Sequence, residues 1–90
     1  MIVRSIYYEP GFLKDWKKLE RRFREAAVKA EKQFRQNPLH PSLRLHALQG
    51  KLLGLWFVSV TFDVRIIFKR MDGGDIVFLS IGRHEMYRGK

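Results

Sequence analysis

The stretch Gly54 to Tyr87 limits the possible folds most. It reads GLWFVSVTFDVRIIFKRMDGGDIVFLSIGRHEMY, three β-rich runs separated by turn signals and closed by a basic, aromatic end. Leu55–Val60 alternates Trp56, Val58 and Val60 against Leu55, Phe57 and Ser59, the period of a strand with two unlike faces. Thr61-Phe62-Asp63 is a tight connection. Val64–Arg70 is apolar through Phe68 except at Arg65, which predicts a strand in the middle of a sheet. Asp72-Gly73-Gly74-Asp75 is a hairpin turn signal. Ile76–Ile81 is the third run, Gly82 is expected to end it, and Arg83–Lys90 forms a basic tail.

The preceding residues must cover such a sheet. Ile2–Tyr8 reads as a short first strand, broken by Glu9-Pro10-Gly11, where Pro10 suits the first turn of a helix. Phe12, Leu13, Trp16 and Leu19 fall on one helical face, with Lys14, Asp15, Lys17 and Lys18 on the other. Glu20-Arg21-Arg22 is a joint. A second helix runs to about Gln36, with Phe23, Ala27, Ala30 and Phe34 on its inner face and a Glu25/Lys29 pair outside. Asn37-Pro38 stops it. The connector Leu39–Gly50 has room for a short edge strand at Leu43–His46. The order is β-α-α-β-β-β: one α+β domain over residues 1–90, its N-terminal strand and helical hairpin followed by a mainly antiparallel sheet of three to four strands.

Composition narrows the function. Ninety residues with 46% hydrophobic content suffice for one small core. There is no cysteine, so packing alone holds the chain, and a cytoplasmic location fits better than a secreted one. Met1–Tyr8 carries Arg4 and is closed by Glu9, so no signal peptide is expected. No apolar run nears the roughly 20 residues of a membrane helix. Eighteen Lys and Arg against nine Asp and Glu give a net charge of +9. A small domain this basic is drawn to polyanions. Phosphate-binding Gly-rich loops, nucleophile elbows and recognition-helix signatures are missing. The three histidines are too scattered for zinc, and no cofactor is expected.

The segments LHALQGKLLGLWFVSV, DVRIIFK, the Asp72–Asp75 turn and IVFLSIGRHEMY together resemble the RelE/ParE toxin superfamily. The resemblance covers essentially the whole chain and is most specific in its last forty or so residues. It implies a toxin of a type II toxin–antitoxin system. RelE-like members cut mRNA in the ribosomal A site and are held off by a cognate antitoxin; ParE-like members poison DNA gyrase. Arg65 stands where RelE-like enzymes carry a phosphate-contacting arginine. His46, Asp63, His84 and Tyr87 match the YafQ-like branch. Trp56 and Val58 replace RelE's lysines, while Ser59, Val64 and Ser80 depart from the YafQ-like pattern, as does the shorter His84-to-Tyr87 spacing. The resemblance thus implies a YafQ-like or RelE-like ribonuclease with a partly altered site.

RNA cleavage of this kind needs a base for the 2′-OH, an acid for the departing 5′-oxygen, and positive charge at the phosphate. Histidine titrates near neutral pH and suits either proton-transfer role, and arginine's planar fork suits phosphate. His84 and His46 are therefore expected to flank the scissile phosphate with Arg65 between them, one as base and the other as acid, in an order the sequence leaves open. Asp63 is the candidate orienter of a histidine or arginine. Tyr87 is a stacking candidate, and Arg83, Arg88 and Lys51 are candidate RNA contacts. The expected partners are mRNA on the ribosome and an antitoxin, without a membrane. The competing expectations are a gyrase inhibitor and a non-catalytic basic module that binds RNA or ribosomes.

Overall fold

The strand expected at Val64–Arg70 does lie at the middle of a sheet. The computed structural model describes residues 1–83, with strands β1 (Ser5–Tyr8), β2 (His46–Ala47), β3 (Leu55–Ser59), β4 (Val64–Arg70) and β5 (Asp75–Arg83). Helices α1 (Pro10–Lys18) and α2 (Arg21–Gln36) fall between β1 and β2. The sheet order is β1-β5-β4-β3-β2, with β1 parallel to β5 and every other pair antiparallel. This is the expected α+β arrangement, with β1 and β2 extending the hairpins into five strands. Among the described residues, no helix is long and apolar enough to cross a membrane.

The helices cover one face. Phe12, Ala27, Ala30 and Phe34 pack onto Val58, Val64, Ile66, Phe68, Ile76, Phe78 and Ile81. Pro10 begins α1, and Lys17 and Lys18 close it, where cations suit the carbonyl end of a helix. On the outer face of α2, Glu25 pairs with Arg21 (3.3 Å) rather than with Lys29, and Glu31 pairs with Arg35 (3.1 Å). The Tyr8 hydroxyl donates to Glu31 and ties β1 to α2. Burial and the neighbouring carboxylate hold that phenol above its ordinary pKa.

Several strand boundaries depart from expectation, β3 ending at Ser59 and β5 beginning at Asp75 by one residue each, and three others by more. β1 is shorter than Ile2–Tyr8, although the Arg4 N–H still bonds the Gly74 carbonyl (2.8 Å). The edge strand begins at His46, because residues 41–43 form a 3₁₀ turn and Arg44 adopts a left-handed conformation. Gly82 does not end the last strand: it lies inside β5, opposite Arg65.

A one-residue bulge in β5 matters most. Phe68 faces Phe78, but Ile67 faces Ser80, so Leu79 is the extra residue. An extra residue flips every later side chain to the other face. Ile76 and Phe78 point to the helices before it; Ile81 does so after it. β1 stops at Tyr8 and leaves the adjoining edge of β5 uncovered. There Asp15 of α1 accepts the Ile81 N–H (3.2 Å).

The β4–β5 turn needs glycine for two different reasons. Gly73 (φ 74°) has open space around a would-be Cβ. Gly74 (φ 90°) would place one 3.0 Å from the Ile2 carbonyl oxygen and 3.1 Å from the Arg4 Cβ. Gly73→Ala should cost about 1–2 kcal/mol from backbone strain alone. Gly74→Ala should cost roughly 2–4 kcal/mol, because strain and the packing clash add. Urea unfolding of both variants checks this; equal losses would mean that the β1 contact carries no weight.

Candidate functional site

The face away from the helices gathers the charged chemistry. In β4 the pleat sends Val64, Ile66 and Phe68 into the core and Arg65, Ile67 and Lys69 the other way. Register then fixes their neighbours. Ser59 and Gly82 flank Arg65, and Phe57 lies opposite Ile67 and His46. The His46 ring sits 5.2 Å from the Phe57 ring, centroid to centroid. The Arg65 guanidinium lies over the same ring, 4.7 Å from its centre. His46, Phe57 and Arg65 thus form a ladder across β2, β3 and β4.

Each part of the ladder has a physical role. His46 is exposed and open to solvent on the edge strand. Arg65 is half-buried on the central strand, and Phe57 gives its fork a flat seat. Gly82 contributes no side chain on the other flank. Sequence reasoning missed Phe57, treating it only as one residue of an alternating strand. The available signal was its position on the same alternating set as Ser59, which precedes the turn leading to Arg65.

Asp63 and Arg83 are brought together, away from this ladder. They form an ion pair, and Arg83 Nη2 also lies 3.9 Å from a Glu20 carboxylate oxygen. Its guanidinium stands 5.6 Å from the centre of the Phe23 ring. The Leu79 bulge is the reason. Without it, strand alternation from Phe78 would put Arg83 on the face of Arg65; with it, Arg83 follows Ile81 to the helix side. The turn is fixed by the Thr61 hydroxyl, which accepts the N–H groups of Asp63 (3.2 Å) and Val64 (3.1 Å). Arg83 therefore links the β3–β4 turn to the joint between the helices.

Lys51 lies exposed in the short turn Gly50–Leu52. His84, Tyr87 and Arg88 lie outside the described residues. Among the described residues, no three His, Cys, Asp or Glu side chains gather as they would to hold a metal ion.

Residues 6–87 match the family described as the ParE toxin of type II toxin–antitoxin systems, parDE. No curated protein matches the sequence. The structure is similar to that of YafQ from E. coli strain BL21(DE3), with TM-score 0.75 and 26% identity, over 90% of this chain and 93% of that one. It is similar to the E. coli DinJ-YafQ toxin-antitoxin complex, with TM-score 0.73 and 26% identity over 92% and 94% of the two chains. The YoeB/ParE toxin from Agrobacterium tumefaciens shares the fold, with TM-score 0.74 and 15% identity over 90% and 99%.

Proposed function

Since this chain belongs to the ParE toxin family of type II toxin–antitoxin systems, we propose that it is a metal-free endoribonuclease, cutting mRNA on the ribosome and so inhibiting translation. The ladder of His46, Phe57 and Arg65 on the helix-free face carries this reading. It holds an imidazole and a guanidinium on one strand-built surface, an arrangement that supports proton transfer beside a phosphate.

In the proposed reaction the 2′-oxygen attacks the adjacent phosphorus as a base removes its proton. The P–O2′ bond forms, the P–O5′ bond breaks, and an acid protonates the departing 5′-oxygen. Arg65 donates its parallel N–H groups to the phosphate oxygens as negative charge builds there. His46 serves as one of the two proton-transfer groups and His84 as the other. Tyr87 stacks on a base, while Lys51 and Arg88 hold the RNA backbone. Asp63 pairs with Arg83, the residue directly before His84, and so serves as a positioning residue at the end of β5.

The cell must restrain such a basic toxin. The complex of YafQ with DinJ is the precedent for a cognate antitoxin here, whose acidic or amphipathic segment masks the basic surface in the cytoplasm. The ParE description of the family supports a second reading, in which the target is DNA gyrase.

Primer extension on a translated mRNA separates the two readings. Ribosome-dependent cuts are the expected result. Inhibition of gyrase supercoiling with intact mRNA would establish the second reading, and salt-sensitive RNA binding without cleavage would indicate a non-catalytic module.

A further inference from the structure

The tip of the β3–β4 turn presents a residue that the ladder does not use. Phe62 is 90% exposed, in a chain that buries Phe12, Phe34, Phe68 and Phe78 to 4% or less. Its position is fixed by the turn: the Thr61 hydroxyl accepts two N–H groups, and the Val60 N–H bonds the Val64 carbonyl (2.8 Å). A rigid turn that holds a phenyl ring in water costs hydrophobic free energy unless something covers the ring.

Facing this turn is a second constrained segment. The His40 imidazole accepts the Ser42 N–H (3.1 Å), and Leu43 is buried beneath. Arg44 then adopts φ 48° and ψ 50°, a left-handed conformation uncommon outside glycine, asparagine and aspartate. Pro41, Ser42 and Arg44 on one side and residues 59–62 on the other enclose a cleft of about 460 Å³. Among the described residues, Arg44 is the one charged residue in its lining and no carboxylate lines it.

We propose that this cleft is a subsite for single-stranded RNA, in which Phe62 stacks on a base beside the cleaved step and Arg44 bonds the adjoining phosphate. The inference rests on the ribonuclease reading and extends its binding surface. Three observations favour RNA over a protein segment. The cleft pairs an exposed aromatic ring with an arginine, the two groups that bind single strands through base faces and phosphates. The net charge of +9 draws polyanions to the whole domain. Ser59, in the cleft wall, is the register partner of Arg65. Phe62 follows Ser59 by three residues, roughly 10 Å of strand at most. A strand held at Arg65 can therefore run directly into the cleft.

The test uses the full chain and a single-stranded RNA oligonucleotide carrying 2-aminopurine, together with cleavage kinetics on programmed ribosomes. Phe62→Ala should weaken RNA binding by about 5- to 150-fold. KM should rise accordingly while kcat is kept, and Phe62→Trp should restore both. Arg44→Ala should reduce the salt slope of RNA binding by about 0.7. Unchanged melting of each variant shows that the fold is intact. Phe62→Ala binding RNA within twofold of the unaltered chain overturns the proposal. So does loss of antitoxin affinity with RNA affinity kept, which assigns the turn to a protein partner. Should the unaltered chain neither bind nor cut RNA, the ribonuclease reading itself falls and takes the subsite with it.

Discussion

Arg65→Ala should lower mRNA cleavage by about 10²–10³-fold, the scale seen when one preorganised donor to a developing oxyanion is lost. The effect should fall on kcat more than on KM, because the fork meets its full charge only as the phosphorane develops. Arg65→Lys should recover little. Lysine keeps the charge but offers no planar fork and cannot lie flat on Phe57 in the same way. Phe57→Leu keeps apolar bulk while removing the aromatic seat, and should cost about 5-fold, the equivalent of the roughly 1 kcal/mol of a half-exposed cation–π contact. Single-turnover cleavage on ribosomes, with circular dichroism to verify the fold, measures all three. Arg65→Ala cleaving within threefold of the unaltered chain would remove Arg65 from the chemistry.

The sequence made the arginine visible but not its seat. Arg65 stands out in the run VRIIF because every other residue there prefers burial, and that same run correctly marked β4 as central. Phe57 carries no such contrast. Its importance comes from register, which brings it opposite His46 and diagonal to Arg65, and β2 is only two residues long. So short a strand has too little pattern to announce its pairing. The bulge was harder to see. In IVFLSIGR the core residues Ile76 and Phe78 are two apart, while Phe78 and Ile81 are three apart. That change of spacing is the one trace of Leu79, and it decides that Arg83 meets Asp63 and Glu20 rather than the face of Arg65. The left-handed Arg44 left no sequence signal, since arginine has no preference for that conformation. The assignments of His84, Tyr87 and Arg88 rest on the sequence, beyond the described residues.

The ladder depends on a core that can be tested separately. Phe34 of α2 is fully buried, with its ring 5.1 Å from Phe68 of β4 and 6.0 Å from Phe78 of β5. One side chain thus joins the helix layer to the central strand and its neighbour β5. Phe34→Ala should cost about 3–5 kcal/mol, from lost burial and the cavity left behind. A domain of 90 residues has a total stability of roughly 5–13 kcal/mol, so this is a large share. Melting should fall by about 12–40 °C at roughly 4–8 °C per kcal/mol. Phe34→Leu retains much of the volume and should cost only about 1–2 kcal/mol. The functional consequence differs in kind from that of Arg65→Ala. Loosening Phe68 and Phe78 releases β4 from β5, and RNA cleavage, RNA binding and antitoxin binding should fail together near the new melting temperature. Below that temperature the surviving folded fraction should cleave at the ordinary rate, because no ladder residue has changed. A Phe34→Ala chain that melts normally yet fails to cleave would instead tie α2 directly to the reaction.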